Sequence, residues 1–343
     1  MKITINEIAR LAGVSKSTVS KALNNYSGEV SGEVRNRIAE IVKNKNYKPN
    51  MTARSLRTKK TNTIGLVIPL PTANVITNPY FIETILSVEK TARERGYHLI
   101  FSTFDNREKE DVVLSSMFDK SKVDGFLIMG APVDDEYIEK LDTGEVKVVC
   151  VGRYYGLNKI KFVDINNRES AYEAVKYLLS LGHKKIAFIG GSSKFHNRRD
   201  RELGYKTALE EEGVAINKSY LKEIDLSEAS GEFAMQELLN LKERPTAVLT
   251  HNDQSAAGVM RAATKNGLSI PKDLSVISFS SGTKLAETNP LLTSIRIPVD
   301  KISSGAANML LDYIENKVPE NNIELKAELV VRGTTAASAA IKQ

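Results

Sequence analysis

Lys16, Ser17, Ser20 and Lys21 lie on the outward side of one short predicted helix, Lys16 to Leu23, with Val19 and Leu23 inward. Ammonium and hydroxyl groups in that pattern donate hydrogen bonds along a surface, which suits the base edges and phosphates of a DNA major groove. Ser15 precedes this helix as a cap, and Gly13 supplies the left-handed turn before it. Upstream, Thr4 is placed to cap a first helix in a capping box with Glu7, with Ile5, Ile8, Ala9 and Ala12 on its inward face. Two short helices on a tight turn form a helix-turn-helix pattern. A third helix is predicted over Ser31 to Asn46, with Val34, Ile38, Ile41 and Val42 as its apolar stripe. Pro49 breaks it, and Asn50 can cap a further helix over Met51 to Arg57, too short to hold in water without a partner.

Catalytic patterns are missing. No phosphate-binding G-x-x-x-x-G-K-[ST], no G-x-G-x-x-G and no H-E-x-x-H occurs, and His98, His183, His196 and His251 have no metal-ligand spacing. In Gly190-Gly191-Ser192-Ser193 no lysine follows the glycines directly as a phosphate cradle requires, and Asp134-Asp135 falls at a helix start. The chain is read as a non-enzyme without a cofactor or metal.

Charge is divided unevenly. Residues 1–62 carry 13 basic and 4 acidic residues, a surplus of nine, whereas the remainder carries 35 basic and 38 acidic. A basic head on a slightly acidic body points to polyanion binding at one end. At 343 residues the chain exceeds one ordinary domain, and its composition, 41% hydrophobic and 26% charged, is that of a soluble protein. No apolar run approaches a membrane span, no signal-peptide pattern opens the chain, and Cys150, in an apolar run, reads as core. A cytoplasmic protein with no membrane partner is expected.

Beyond the linker Thr58 to Asn62, short apolar strands alternate with amphipathic helices. Strands are predicted at Thr63–Pro69, His98–Thr103, Gly125–Met129, Val146–Gly152, Lys185–Gly190, Ala247–Thr250, Leu274–Phe279 and Ile323–Val331. Predicted helices include Phe81–Arg95, Lys109–Phe118, Asp135–Leu141, Asp200–Glu212 and Val299–Ile314. The pattern plays out twice, an α/β body of two lobes with parallel sheets and a ligand cleft at the strands' carboxyl ends.

The stretches IARLAGVSKSTVSKALN, VSGEVRNRI and NYKPNMTARSL resemble, in order and spacing, the DNA-binding headpiece of the LacI/GalR family of bacterial transcriptional regulators. NPYF, LGHKKIAFIGG, DRELGYKTAL, RPTAVLTHNDQSAAGVMRA and LSVISF resemble the periplasmic-binding-protein-like effector domain of that family. The resemblance implies a headpiece at 1–48, a hinge helix and linker at 49–61, and an effector and dimerisation domain at 62–343. Its lobe one would span about 62–161 and 292–321, and its lobe two about 162–291 and 322–343. Lys16, Ser17 and Lys21 would read operator bases; Thr18, Ser20 and Asn24 would anchor phosphates; Leu56, beside Ala53, would wedge into the minor groove. Thr4, Ser15, Tyr47 and Asn50 complete the expected DNA-contacting set.

For the effector, the resemblance carries over Tyr80, Phe81, Arg201 and Asn252, with Arg153, Asp164, Asn166, Leu226 and Ser280 as further candidates. Planar polar groups beside aromatic faces suit a sugar. Ser278-Phe279-Ser280-Ser281 lacks an aspartate common in the family. With VVCVGRYYG, VDINN and LAETNPLLTS it is more similar to the maltose-regulator branch. The expected partners are therefore a palindromic double-stranded operator, a sugar such as maltose or a related α-glucoside, and a second copy of the chain. The tail after Val331 has no leucine heptad, so a dimer is expected rather than a tetramer. Two alternatives stay open: a carbon-catabolite regulator with a phosphocarrier-protein corepressor, and a soluble sugar-binding protein without a regulatory role.

Overall fold

The protein is described from a computed structural model, over residues 3–23, 30–47, 60–68, 70, 72–103, 122–130, 138, 141–144, 146–282 and 288–338. It divides into two compact units, Met1–Thr61 and Asn62–Gln343.

The first unit holds α1 (Ile5–Ala12), α2 (Lys16–Leu23) and α3 (Gly32–Asn44). Ile8, Ala9, Ala12, Val19, Ala22 and Ile38 form its buried centre, and Leu23, Val34, Ile41, Val42 and Tyr47 pack around them. Gly13 ends α1 at φ 65°, a conformation that costs a side-chain-bearing residue more than glycine. Ser15 caps α2, its Oγ accepting the Thr18 N–H at 3.1 Å. Two local expectations fail. Thr4 occupies the cap position of α1 but its side chain makes no cap bond; the Glu7 and Ile8 N–H groups bond its carbonyl instead, at 3.0 and 3.1 Å. The capping box with Glu7 is thus not formed. Ser20 is only 9% exposed, so it lies inward beside Val19 and not on the outer face.

The second unit has two six-stranded sheets. In the first the order is β11 (Ile323–Leu325), β5 (Lys161–Ile165), β4 (Val148–Val151), β3 (Gly125–Met129), β1 (Thr63–Ile68), β2 (His98–Thr103), all parallel. In the second it is β12 (Glu328–Val330), β10 (Thr293–Arg296), β9 (Ser275–Ser280), β8 (Ala247–Thr250), β6 (Ile186–Gly190), β7 (Leu221–Glu223), with only β12 antiparallel. Strands β3, β4 and β8 are buried along their whole length, as parallel strands covered on both faces must be. Flanking helices are α4 (Thr72–Thr77), α5 (Pro79–Glu94), α6 (Asn167–Ser180), α7 (His196–Glu211), α8 (Glu228–Leu239), α9 (Asp253–Lys265) and α10 (Val299–Ile314). Helix α10 packs on α5 and on β3, β4 and β5, while α6 pairs with α7 and α8 with α9. The last pair touches through glycine: a Cβ on Gly258 would lie 2.0 Å from the Glu228 carbonyl oxygen.

The lobe limits differ from expectation by a few residues at each crossing. β5 belongs to the first sheet, so the chain leaves that lobe after Ile165 and not at 161. β10 pairs with β9, so the return follows Arg296 and not 292. The expected single strand Ile323–Val331 is two strands in different sheets, and the final crossing lies between Leu325 and Glu328. β10 escapes a hydrophobicity reading because Thr-Ser-Ile-Arg has one aliphatic residue. Its hydroxyls are buried with partners: Thr293 Oγ1 accepts the Arg332 N–H at 2.9 Å, and Thr293 N–H donates to Thr334 Oγ1 at 2.8 Å. The predicted helices Lys109–Phe118 and, for the most part, Asp135–Leu141 lie outside the described residues.

Candidate functional sites: a polar helix face and an interlobe cleft

On α2, Ser15, Lys16, Ser17 and Lys21 are exposed and Thr18 is half-buried. Ser15 Oγ lies 2.8 Å from both Ser17 Oγ and Thr18 Oγ1, so the three hydroxyls form one cluster at the start of the helix. Thr4 is exposed, whereas Tyr47 is half-buried against the headpiece core, and burial raises its hydroxyl above the usual tyrosine range. Asn24, Asn50, Ala53 and Leu56 lie outside the described residues.

Between the lobes lies a cleft of about 450 Å³, lined from both sides by segments at the carboxyl ends of strands. The first lobe contributes Tyr80 and Phe81, Arg153 after β4, and Asp164 at the end of β5; the second contributes Arg201, Leu226 after β7 and Asn252 after β8. Such a volume suits a small ligand.

Arg201 is a deeply buried cation of the cleft, at 4% exposure. Its Nε donates to Asn167 Oδ1 at 2.8 Å and its Nη1 to the His251 carbonyl at 3.0 Å. Its guanidinium lies 3.6 Å from the centre of the Phe279 ring. Burial pulls its pKa down to about 10, against the opposing pull of Asp164. A guanidinium has five N–H donors, so three remain for a ligand beyond the two engaged among the described residues.

Asp164 accepts N–H bonds from Arg153 at 2.8 Å and Ile165 at 2.7 Å, and from Asn167 Nδ2 at 3.1 Å. Burial nevertheless lifts its carboxyl to about 6, the backbone donors and Arg201 working against the rise. Burial also holds the Tyr80 hydroxyl protonated far above the usual range. The Tyr80 and Phe81 rings meet edge to face at 5.8 Å.

Two candidates fall elsewhere. Asn166 is exposed and caps α6, its Oδ1 accepting the Glu169 N–H at 3.0 Å; the adjacent Asn167 is the residue at the cleft. Ser280 is buried behind the wall, donating to Asp253 Oδ2 at 2.7 Å, and Asp253 takes its place in the lining. A third is placed at the cleft but engaged. Asn252 caps α9 through Oδ1, 2.9 Å from Ser255 N, and holds the Leu226 carbonyl through Nδ2 at 3.0 Å. It thereby supports Leu226, which sits at φ 68°.

Residues not singled out from sequence also line the cleft, among them Asn167, His196, Arg198 and His251. His196 and Arg198 precede Arg201 by one and a half turns or less of α7, so the helix start was the available signal. His251 is 8% exposed, and burial first, then Arg201 and Arg198, keeps its ring neutral. Cys150 lies in the first lobe's core, its thiol pushed up to about 12 by burial. Among the described residues no group of three histidine, cysteine or acidic side chains could hold a metal, and no helix is long and apolar enough to cross a membrane.

Comparison with known proteins covers both units. Residues 4–50 match the family model of bacterial regulatory proteins, lacI family, and residues 175–335 match the periplasmic binding protein-like domain. Catabolite control protein A of Priestia megaterium is 34% identical over 325 residues, 94% of this chain and 96% of that protein. The HTH-type transcriptional repressor PurR of Erwinia tasmaniensis is 35% identical over 338 residues, 97% of each. Among solved structures, the lac repressor dimer bound to operator and the anti-inducer ONPF superposes with a TM-score of 0.86 at 26% identity, covering 98% of this chain and all of that one. The CelR–cellobiose complex superposes with a TM-score of 0.74 at 27% identity, covering 97% and 99%. With both units matched, and relatives of this identity over nearly their whole length, the chain belongs to the lacI family of bacterial regulatory proteins and is a DNA-binding transcriptional repressor, not an enzyme.

Proposed function

We propose that this repressor binds a palindromic operator as a dimer and is released by a sugar, maltose or a related α-glucoside, taken into the interlobe cleft. The observation that carries the sugar reading is Arg201 laid on Phe279 and tied to Asn167, with Asp164, Tyr80 and Phe81 lining the same cleft. Sugar hydroxyls take paired hydrogen bonds from such planar groups, and the ring packs on the aromatic faces. The whole-length likeness to a cellobiose-bound regulator supports a glucose disaccharide. Lys16, Ser17 and Lys21 read base edges, and Leu56 opens the minor groove at the operator centre. Effector binding shifts the lobes and the segment 49–61 with them, a change of population between two states.

The test is a thermal-shift screen of sugars, sugar phosphates and purines followed by operator binding. A ligand specific for the native state raises the midpoint by mass action. Maltose or an α-glucoside should raise it and lower operator affinity. A shift with another compound discards the maltose assignment and keeps the repressor. The 34% identity to catabolite control protein A favours a second reading, in which a phosphocarrier protein acts as corepressor; it predicts no sugar-driven release of DNA. Leu56→Ala should weaken specific operator binding far more than non-specific binding, and equal losses would rule out the wedge.

A further inference from the structure

We propose that Tyr155 is a positioning residue: it ties the first turns of α7, in the second lobe, to the loop after β4 in the first, and so sets the lobe separation at which the cleft takes its ligand. The Tyr155 hydroxyl accepts from Arg153 Nη1 at 3.0 Å and donates to Asp200 Oδ1 at 2.9 Å. Arg153 is in turn ion-paired with Glu324 on β11. A polar chain, Glu324–Arg153–Tyr155–Asp200, therefore runs from the strand beside the last lobe crossing to α7.

A second link reinforces the first. The Tyr155 N–H donates to His196 Nε2 at 3.4 Å. The His196 ring is gripped edge-on by Tyr154 at 4.7 Å and Tyr155 at 5.0 Å. Two first-lobe tyrosines thus hold the first residue of α7, and the hydroxyl of one holds Asp200. Asp200 is adjacent to Arg201, so whatever moves α7 moves Arg201 relative to Tyr80 and Asp164. On another rim, Gln254 Nε2 donates to the Thr77 carbonyl at 3.0 Å, a weaker tie because it involves no charge.

Tyr155 is 49% exposed whereas Asp200 and His196 are buried. The tie can therefore part by withdrawing one half-exposed ring, with no core to unpack. A hydrogen bond to a carboxylate on a buried acceptor is strong enough to shift a lobe equilibrium by about ten-fold or more. The inference rests on the effector reading only for its consequence in ligand affinity; the lobe separation itself is read with no sugar present.

The experiment places spin labels on the exposed positions Asn158→Cys and Lys194→Cys of the full chain, one on each lobe, and measures their distance by pulsed dipolar spectroscopy. Tyr155→Phe keeps the ring against His196 and removes only the hydroxyl; it should raise the population with separated lobes about ten-fold. Asp200→Asn retains an acceptor oxygen without the charge and should fall between wild type and Tyr155→Phe. Asp200→Ala should match Tyr155→Phe, and the double variant should go no further. Unchanged distances in Tyr155→Phe, or a double variant that sums the two effects, overturns the proposal. Should Asp200→Ala fail to fold, the contrast between Tyr155→Phe and Asp200→Asn decides alone. In the sugar screen, Tyr155→Phe should weaken maltose binding in proportion to the measured fall in the fraction with closed lobes; if wild type binds no sugar, the effector reading falls while the distance result stands.

Discussion

Arg201→Met replaces a buried cation with a side chain of similar length and no charge. Burial has drawn the guanidinium down to about 10 from 12.5, which at about 1.4 kcal/mol per pKa unit is a cost to folding of roughly 3 kcal/mol. The folded pKa is depressed for a group charged when protonated, so this cost applies at every pH below about 10 and is relieved only above it. Against it stand the bonds to Asn167 Oδ1 and the His251 carbonyl, and the stack on Phe279. Hydrogen bonds from a charged donor contribute about 1.5–3 kcal/mol each, and methionine sulfur recovers part of the aromatic contact. The terms nearly cancel, leaving a net loss of about 2 kcal/mol or less. For a body of this size that lowers the midpoint by no more than roughly 8 °C. Ligand binding has no such compensation: losing two charge-assisted bonds should weaken a sugar by about 100-fold. The assay is a maltose titration followed by thermal shift, with fluorescence anisotropy on operator DNA in parallel. Arg201→Met should bind operator normally and ignore the sugar. A variant that keeps the maltose shift within a few-fold of wild type would refute the site, and a midpoint collapse beyond about 15 °C would show that the fold needs the charge.

Other outcomes can be checked on the same protein. Asp164 has a folded pKa of about 6, above its ordinary 3.8, so the native state holds a proton that the unfolded state releases between those values. Stability contributed by that proton is lost as pH rises, and relative to Asp164→Asn the wild type should lose about 2 kcal/mol between pH 4 and pH 6.5 in urea titrations; a pH-independent difference would contradict the burial argument. Gly258→Ala should cost about 3 kcal/mol or more, because the new carbon meets backbone on α8 at 2.0 Å and neither helix has a side chain to move aside. Urea midpoints measure it, and a loss below about 1 kcal/mol would mean that the helices part easily. Ser15→Ala removes the cap on Thr18 N; a loss of about 1 kcal/mol should speed hydrogen exchange of the α2 amides about five-fold and leave the body unchanged.

How far the sequence could be read depends on distance along the chain. The headpiece is written in local signals, Gly13 for the turn, Ser15 for the cap and an apolar stripe per helix, and these appear where expected. Thr4 and Ser20 mislead because cap use and facing depend on which neighbours arrive in space. In the body, strands with continuous aliphatic runs were legible. β10 was not, since its burial rests on hydroxyls satisfied from residues some 40 positions later. Ile323–Val331 looked continuous because nothing within it marks that its two halves join different sheets. At the cleft, Arg201 was reached by resemblance, while Asn167 was missed by one position because β5 went unread. No local rule reveals that Asn252 is already occupied by Leu226 and Ser255.

The strand order has a consequence for biosynthesis. The first sheet closes with β11, residues 323–325, and is covered by α10, residues 299–314, although its other strands are all made by residue 165. A chain emerging from the ribosome therefore carries a first lobe lacking its last strand and one cover until residue 325 has been made. Ala306, Ala307, Leu310 and Leu311 of α10, all fully buried in the finished protein, are absent from any message cut short before them. Such fragments would display a bare apolar sheet beside an intact DNA-binding headpiece, a species that proteases should remove quickly. Completion of the first sheet thus waits on the segment that follows the whole second lobe's parallel strands.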